Sequence, residues 1–185
     1  MSTSRNSLQQ FRLAADLCRK NELVMPAVAM IYSSIDTMAW LSCPATQMDV
    51  KKDDFISWAD RYLLPDSGLT CTALELYSAR CGVLHTMTPE SNIVRTAGAR
   101  KVLYGWGNHD ARLLDGFGEH VGEPCVGVDV DALIRAFDAA VERFVDDTER
   151  DEDLKNRVEP RRRMVFAEWR LDDPKALYQQ ITQHE

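Results

Sequence analysis

Apolar residues recur with helical spacing from residue 4 to residue 20, which predicts a first helix with Leu8, Phe11, Leu13, Ala15 and Leu17 on its buried side and Asn21 as its stop. The next segment, Leu23 to Cys43, is apolar around most of its circumference. It reads as a central helix covered on several sides, with Pro26 in its first turn. Asp36 is the one charged residue within it, and an acid there is costly unless paired, so an arginine on a neighbouring helix is its expected partner. After the polar connection CPATQMDVKKDDF, Asp53 or Asp54 caps a third helix through Phe55, Ile56, Trp58, Ala59, Tyr62 and Leu63, which LPDSG ends. A fourth helix lies within residues 70–88, started by Thr70 or Thr72 and stopped by Pro89. Leu74, Tyr77, Cys81, Val83 and Leu84 fall near helical spacing on it, while Glu75, Ser78 and Arg80 occupy other parts of its surface.

Between Asn92 and Asp129 the texture changes, because seven of the nine glycines fall there: Gly98, Gly105, Gly107, Gly116, Gly118, Gly122 and Gly127. Helix is not expected in this stretch. KVLYGW and residues 125–128 are short β-prone pieces, which predict a small hairpin or excursion on a helical body. GWGNHDARLLDGFG has neither a GKS/GKT end nor a clear preceding strand, so it does not match a phosphate-binding loop. Asp129 or Asp131 then opens a strongly amphipathic helix carrying Leu133, Ile134, Phe137, Val141, Phe144 and Val145 in register. It runs into DDTERDED, a solvated helix end or loop without the spacing of a calcium site. The tail continues through EPRRRMVFAEWRL to a short helix over residues 174–181. Short turns between the early helices favour antiparallel neighbours. The expectation is an all-α antiparallel bundle of about five main helices with a small β excursion near residues 100–128. It forms a single domain over residues 1–185, with residues 92–128 as a glycine-rich insertion and residues 146–185 as a charged extension.

No run approaches the roughly 18 apolar residues of a membrane span, and the N-terminus lacks the apolar core of a secretory signal, so a cytoplasmic location without membrane contact is expected. The five cysteines, Cys18, Cys43, Cys71, Cys81 and Cys125, are scattered and odd in number, as reduced thiols would be. A net charge of −7 argues against a surface that clings to nucleic acid everywhere. Any such site is local, and basic residues cluster at Arg95, Arg100 and Lys101, and again at Arg157 and Arg161 to Arg163.

Chemistry is concentrated on the fourth helix. Of the four histidines, His85, His109, His120 and His184, only His85 sits on a well-defined element with a polar partner nearby. His109 and Asp110 have no second histidine at ligand spacing, so no metal or other cofactor is expected. No GxSxG elbow or activated cysteine points to acyl transfer. Arg80 and His85 combine a phosphate-binding fork with a general acid/base, yet at five residues apart they diverge by roughly 140° around the axis. Convergence needs a bent arginine, a loosened helix end, or a second copy across a twofold axis. The residues alone leave another reading open, in which Arg80 ties the bundle together through Asp36 or Glu75 and His85 simply complements the helix dipole.

ELYSARCGVLHT, preceded by a helix containing IYSSIDTMAWL, resembles the HEPN superfamily, whose members carry an arginine and a histidine in an R-x4-6-H motif at the end of a bundle helix. The order of elements over residues 4–150 is similar as well, and Cys81 stands where many members have a polar residue after the arginine. The resemblance implies a dimeric, metal-independent endoribonuclease from a toxin–antitoxin, phage-defence or RNA-processing setting, with Arg80 and His85 as its catalytic pair. It further implies RNA as the substrate, a homodimer as the active form, and an antitoxin or other protein as a partner. Asp36 then orients Arg80, while Arg95, Arg100 and Lys101 bind flanking phosphates and Tyr77 or Tyr104 stacks on an unpaired base. A non-catalytic dimeric module of the same kind, binding a protein or nucleic acid, is the alternative.

Overall fold

The structure, a computed structural model, describes residues 3–162 together with residues 164 and 165. Its elements run α1 (Thr3–Lys20), α2 (Val24–Ser42), α3 (Lys52–Trp58) continuing into a π-helical turn (Ala59–Leu63), α4 (Ala73–His85), α5 (Asn92–Ala97), β1 (Lys101–Gly105), α6 (Leu113–Val121), β2 (Cys125–Asp129), α7 (Val130–Arg150) and α8 (Glu152–Arg162). Most of the described chain is helical, with one small sheet. The helix expected over residues 174–181 and His184 lie outside the described residues.

The core is built around α2, which meets α1, α3, α4, α7 and α8. Its buried set, including Val28, Ile31, Tyr32, Ile35 and Met38, goes round most of the helix, as an apolar circumference requires. In length and composition α2 does reach the threshold of a membrane span, which the sequence reading placed out of range. Here 56% of that apolar window is buried against neighbouring helices.

On α1 the inward face differs from the expected one. Ala15 is buried, but Leu13 and Leu17 are 67% and 63% exposed. Leu13 lies roughly 200° from Ala15 around the axis, so the two sets cannot share one face. Arg12 and Arg19 instead tie α1 to α7, bonding Asp138 at 2.8 Å and Asp131 at 2.7 Å. Lys51 precedes α3, and Asp54 caps from inside the first turn by accepting the Lys51 N–H at 2.7 Å.

The glycine-rich segment departs most from expectation. It contains two helices, α5 and α6, and its strands are parallel, paired from Lys101↔Cys125 to Gly105↔Asp129 with α6 in the crossover. Glycine costs a helix about 1 kcal/mol relative to alanine, which is why the stretch reads as non-helical. In α6 close packing outweighs that cost. A Cβ at Gly118 would lie 2.5 Å from the Glu123 carbonyl oxygen, and one at Gly127 would lie 1.8 Å from that of Ala111. Asp129 then caps α7 by accepting the Ala132 N–H at 2.6 Å.

Candidate functional site

Both ends of α4 are fixed by its own residues. At the start, the Glu75 N–H donates to Thr72 Oγ1 at 3.2 Å and the Thr72 N–H to Glu75 Oε2 at 2.8 Å, a reciprocal cap. Arg100 closes on the same carboxylate with bonds of 2.6 and 3.0 Å and also donates to the Thr70 carbonyl. Burial opposes the charge on Glu75, but Arg100 and the Thr72 amide hold its carboxyl below the ordinary value. Glu75 and Ser78 are therefore buried rather than on the helix surface, since β1 and α5 cover the side of α4 opposite the bundle.

At the far end the chain turns back over the helix. Ser78 and Ser91 share a hydroxyl hydrogen bond of 2.6 Å, and Thr86 Oγ1 donates to the Gly82 carbonyl at 3.1 Å. A Cβ at Gly82 would sit 2.2 Å from the Thr88 carbonyl oxygen, so the turn closes only over glycine. His85, the last residue of α4, is left exposed beside it.

Arg80 reaches across to α2. Its Nε and Nη2 bond Asp36 Oδ2 at 2.7 and 2.5 Å, with the two side chains only 20% and 16% exposed. Burial pushes the Asp36 carboxyl up from its ordinary value, and the attraction of Arg80 and of His85 opposes that rise. The guanidinium stays cationic, because Asp36 outweighs the cost of burial. Arg80 is thus bonded directly to Asp36, whereas among the described residues no hydrogen bond or ion pair joins His85 to either side chain.

The other residues singled out by sequence are dispersed. Tyr77 is half-buried, edge-on to Phe55 with ring centroids 5.4 Å apart. Arg95 is exposed on α5 and donates to the Asn92 side chain at 2.5 Å. Arg100 and Lys101 are not free cations: Arg100 is paired with Glu75, and Lys101 bonds both Glu90 and Glu123, which push its pKa up to about 12. Tyr104 does not present an open ring either, because its hydroxyl meets that of Tyr32 in the interior. Asp110, beside exposed His109, is held by Arg112, and among the described residues no three His, Cys, Asp or Glu side chains form a metal-binding group.

Sequence reasoning put Glu75 and Ser78 on the surface and passed over Gly82, whereas these residues fix the two ends of α4. The T-x-x-E spacing of Thr72 and Glu75 was the available signal for the first of these. Two cavities, of about 480 and 560 Å3, are lined by neither Arg80 nor His85. No family model, curated protein or solved structure matches the chain.

Proposed function

We propose that the protein is a metal-independent endoribonuclease of HEPN type, active as a homodimer, with Arg80 and His85 as its catalytic pair. One observation carries this reading: Arg80 is held by Asp36 across to α2, on the same helix that ends five residues later in an exposed His85. The Asp36 bonds occupy two N–H groups of the fork and Cys81 is a further side-chain partner, so the N–H groups that remain are the ones to grip a phosphate. Imidazole exchanges protons near neutral pH, so His85 takes the proton of a ribose 2′-hydroxyl or delivers one to the leaving 5′-oxygen. The 2′-oxygen attacks the adjacent phosphorus, the P–O5′ bond breaks, and a 2′,3′-cyclic phosphate and a 5′-hydroxyl result. Arg80 stabilises the charge that develops on the phosphoryl oxygens. A second copy across a twofold axis widens the open face into a groove that takes one strand.

Incubation of the purified protein with mixed RNA under chelator is the direct test. Wild type cleaves RNA but not DNA of the same sequence, and Arg80→Ala and His85→Ala both lose cleavage while remaining folded. Cleavage retained in both variants refutes the reading.

The second reading is a non-catalytic dimeric HEPN-like module that binds an antitoxin, another protein or nucleic acid. It is favoured by the pairing of Arg80, Arg100 and Lys101 with carboxylates. It expects no cleavage of any RNA pool by wild type, and loss of binding when the dimer is broken.

A further inference from the structure

The parallel strands create a second feature, remote from Arg80 and His85 in that neither lines it. β1 ends at Gly105, residues 106–112 lead into α6, and β2 returns alongside to end at Asp129. A crevice of about 480 Å3 opens there, lined by Gly107, Asp110, Arg112, Asp129, Asp131 and Arg135 among others. Parallel strands joined by a helical crossover bind ligands outside their carboxyl ends, with glycines in the first turn and an acid ending the second strand.

The glycines divide the work in a recognisable way. Gly107 has φ +111° and nothing within 4 Å of its Cβ position, so its backbone is bare towards the opening. Gly105 lies against Leu114, and Gly127 admits the Ala111 carbonyl, so α6 packs hard on the strands. Asp110 stands where a third glycine often follows such a pair, and Gly127 and Gly118 provide the close helix–strand approach instead.

The charges also sort themselves. Asp131 is bonded twice by Arg19, at 2.7 and 2.9 Å, and Asp110 accepts from Arg112 at 2.8 Å. Asp129 accepts the Ala132 N–H on Oδ1 and lies in the field of Arg19, while among the described residues its Oδ2 accepts no hydrogen bond. Arg135 is exposed and, among the described residues, has no ion-pair partner. Among the described residues, the crevice thus offers a carboxylate oxygen without a hydrogen bond and a guanidinium without an ion pair.

We propose that this crevice binds a free ribonucleotide, with the ribose 2′,3′-diol donating to Asp129 and the phosphates held by Arg135 over the bare backbone at Gly107. A free nucleotide carries that diol intact, whereas within an RNA strand the 3′-oxygen is esterified; only the 3′-terminal residue keeps both hydroxyls.

Titration calorimetry on the full chain with ADP and 2′-deoxy-ADP tests the assignment. ADP binds saturably. Arg135→Ala weakens it about tenfold or more, as loss of a charged hydrogen bond does. In wild type 2′-deoxy-ADP binds about tenfold more weakly than ADP, and this difference disappears in Asp129→Asn. Asparagine caps a helix as well as aspartate does, so that variant keeps the start of α7. The proposal is overturned by the absence of saturable ADP binding at millimolar concentration, or by equal affinities in wild type and Arg135→Ala.

Discussion

Replacing Arg80 by alanine strands the carboxylate of Asp36 in a place where it is only 16% exposed. Removing one partner from a fully buried ion pair costs about 3–5 kcal/mol, and the residual water contact of this pair reduces the expected loss to about 2–3 kcal/mol. For a domain of this size that is a fall of about 5–10 °C in Tm. The pH dependence identifies the cause. Burial already raises the folded pKa of Asp36 above the ordinary carboxylate value, and Arg80 opposes that rise. Without Arg80 the folded value climbs further, so the folded variant takes up its proton more readily than the unfolded chain. Its deficit against wild type is therefore full at pH above the folded pKa and shrinks as pH falls through it. Asp36→Asn in the Arg80→Ala background removes the stranded charge and recovers part of the loss. Urea unfolding of wild type, both single variants and the double variant, at pH 8 and pH 6, measures all of this. A loss below about 0.5 kcal/mol at pH 8, or no recovery in the double variant, refutes the ion pair as the device that positions Arg80.

Two further outcomes follow from the ends of α4. Gly82→Ala would gain about 1 kcal/mol in an unobstructed helix; with Thr88 O only 2.2 Å from the new Cβ it instead loses about 2–4 kcal/mol and moves the turn beside His85. A Tm scan and an RNA-cleavage assay read both effects, and a rise in Tm contradicts the packing. Arg100→Ala uncovers Glu75, whose depressed folded pKa contributes stability that is full above the ordinary carboxylate value and is lost as pH falls through the folded value. Denaturant curves show its deficit largest near pH 7 and narrowing in acid; a deficit that grows in acid contradicts the pairing.

What could be read from sequence depended on whether a residue's role was local. The all-round apolar character of α2 and the need of Asp36 for an arginine are properties of one segment, and both are visible in the structure. The cap of α4 by Thr72 and that of α7 by Asp129 each fall within a few residues of their partners. Glu75 and Ser78 looked like surface residues because their partners, Arg100 and Ser91, come from chain that returns later. Leu13 and Leu17 looked buried because nothing in α1 indicates that Arg12 and Arg19 turn its other side towards α7. The glycines of α6 and β2 read as breakers, whereas they permit a helix–strand approach that exists only after folding.

The acidity of the chain needs the same distinction between composition and place. Between Asp129 and Asp153 there are ten acids against three arginines, an excess equal to the net charge of −7 for the whole protein. That stretch is α7 and the start of α8, and α7 packs on α1, α2, the π-helical turn, β2 and α8. Part of its charge is already met by Arg12, Arg19 and Arg61. The remainder of the chain, including α4, is neutral in sum. Repulsion of a polyanion is thus concentrated on one element, and beyond a Debye length of about 8 Å at physiological salt it is largely screened. The net charge of the whole protein is therefore not by itself a measure of the field at Arg80 and His85. What decides binding there is whether the N–H groups that Asp36 leaves on Arg80 face a phosphate, which makes the ion pair between α2 and α4 the feature on which the ribonuclease reading turns.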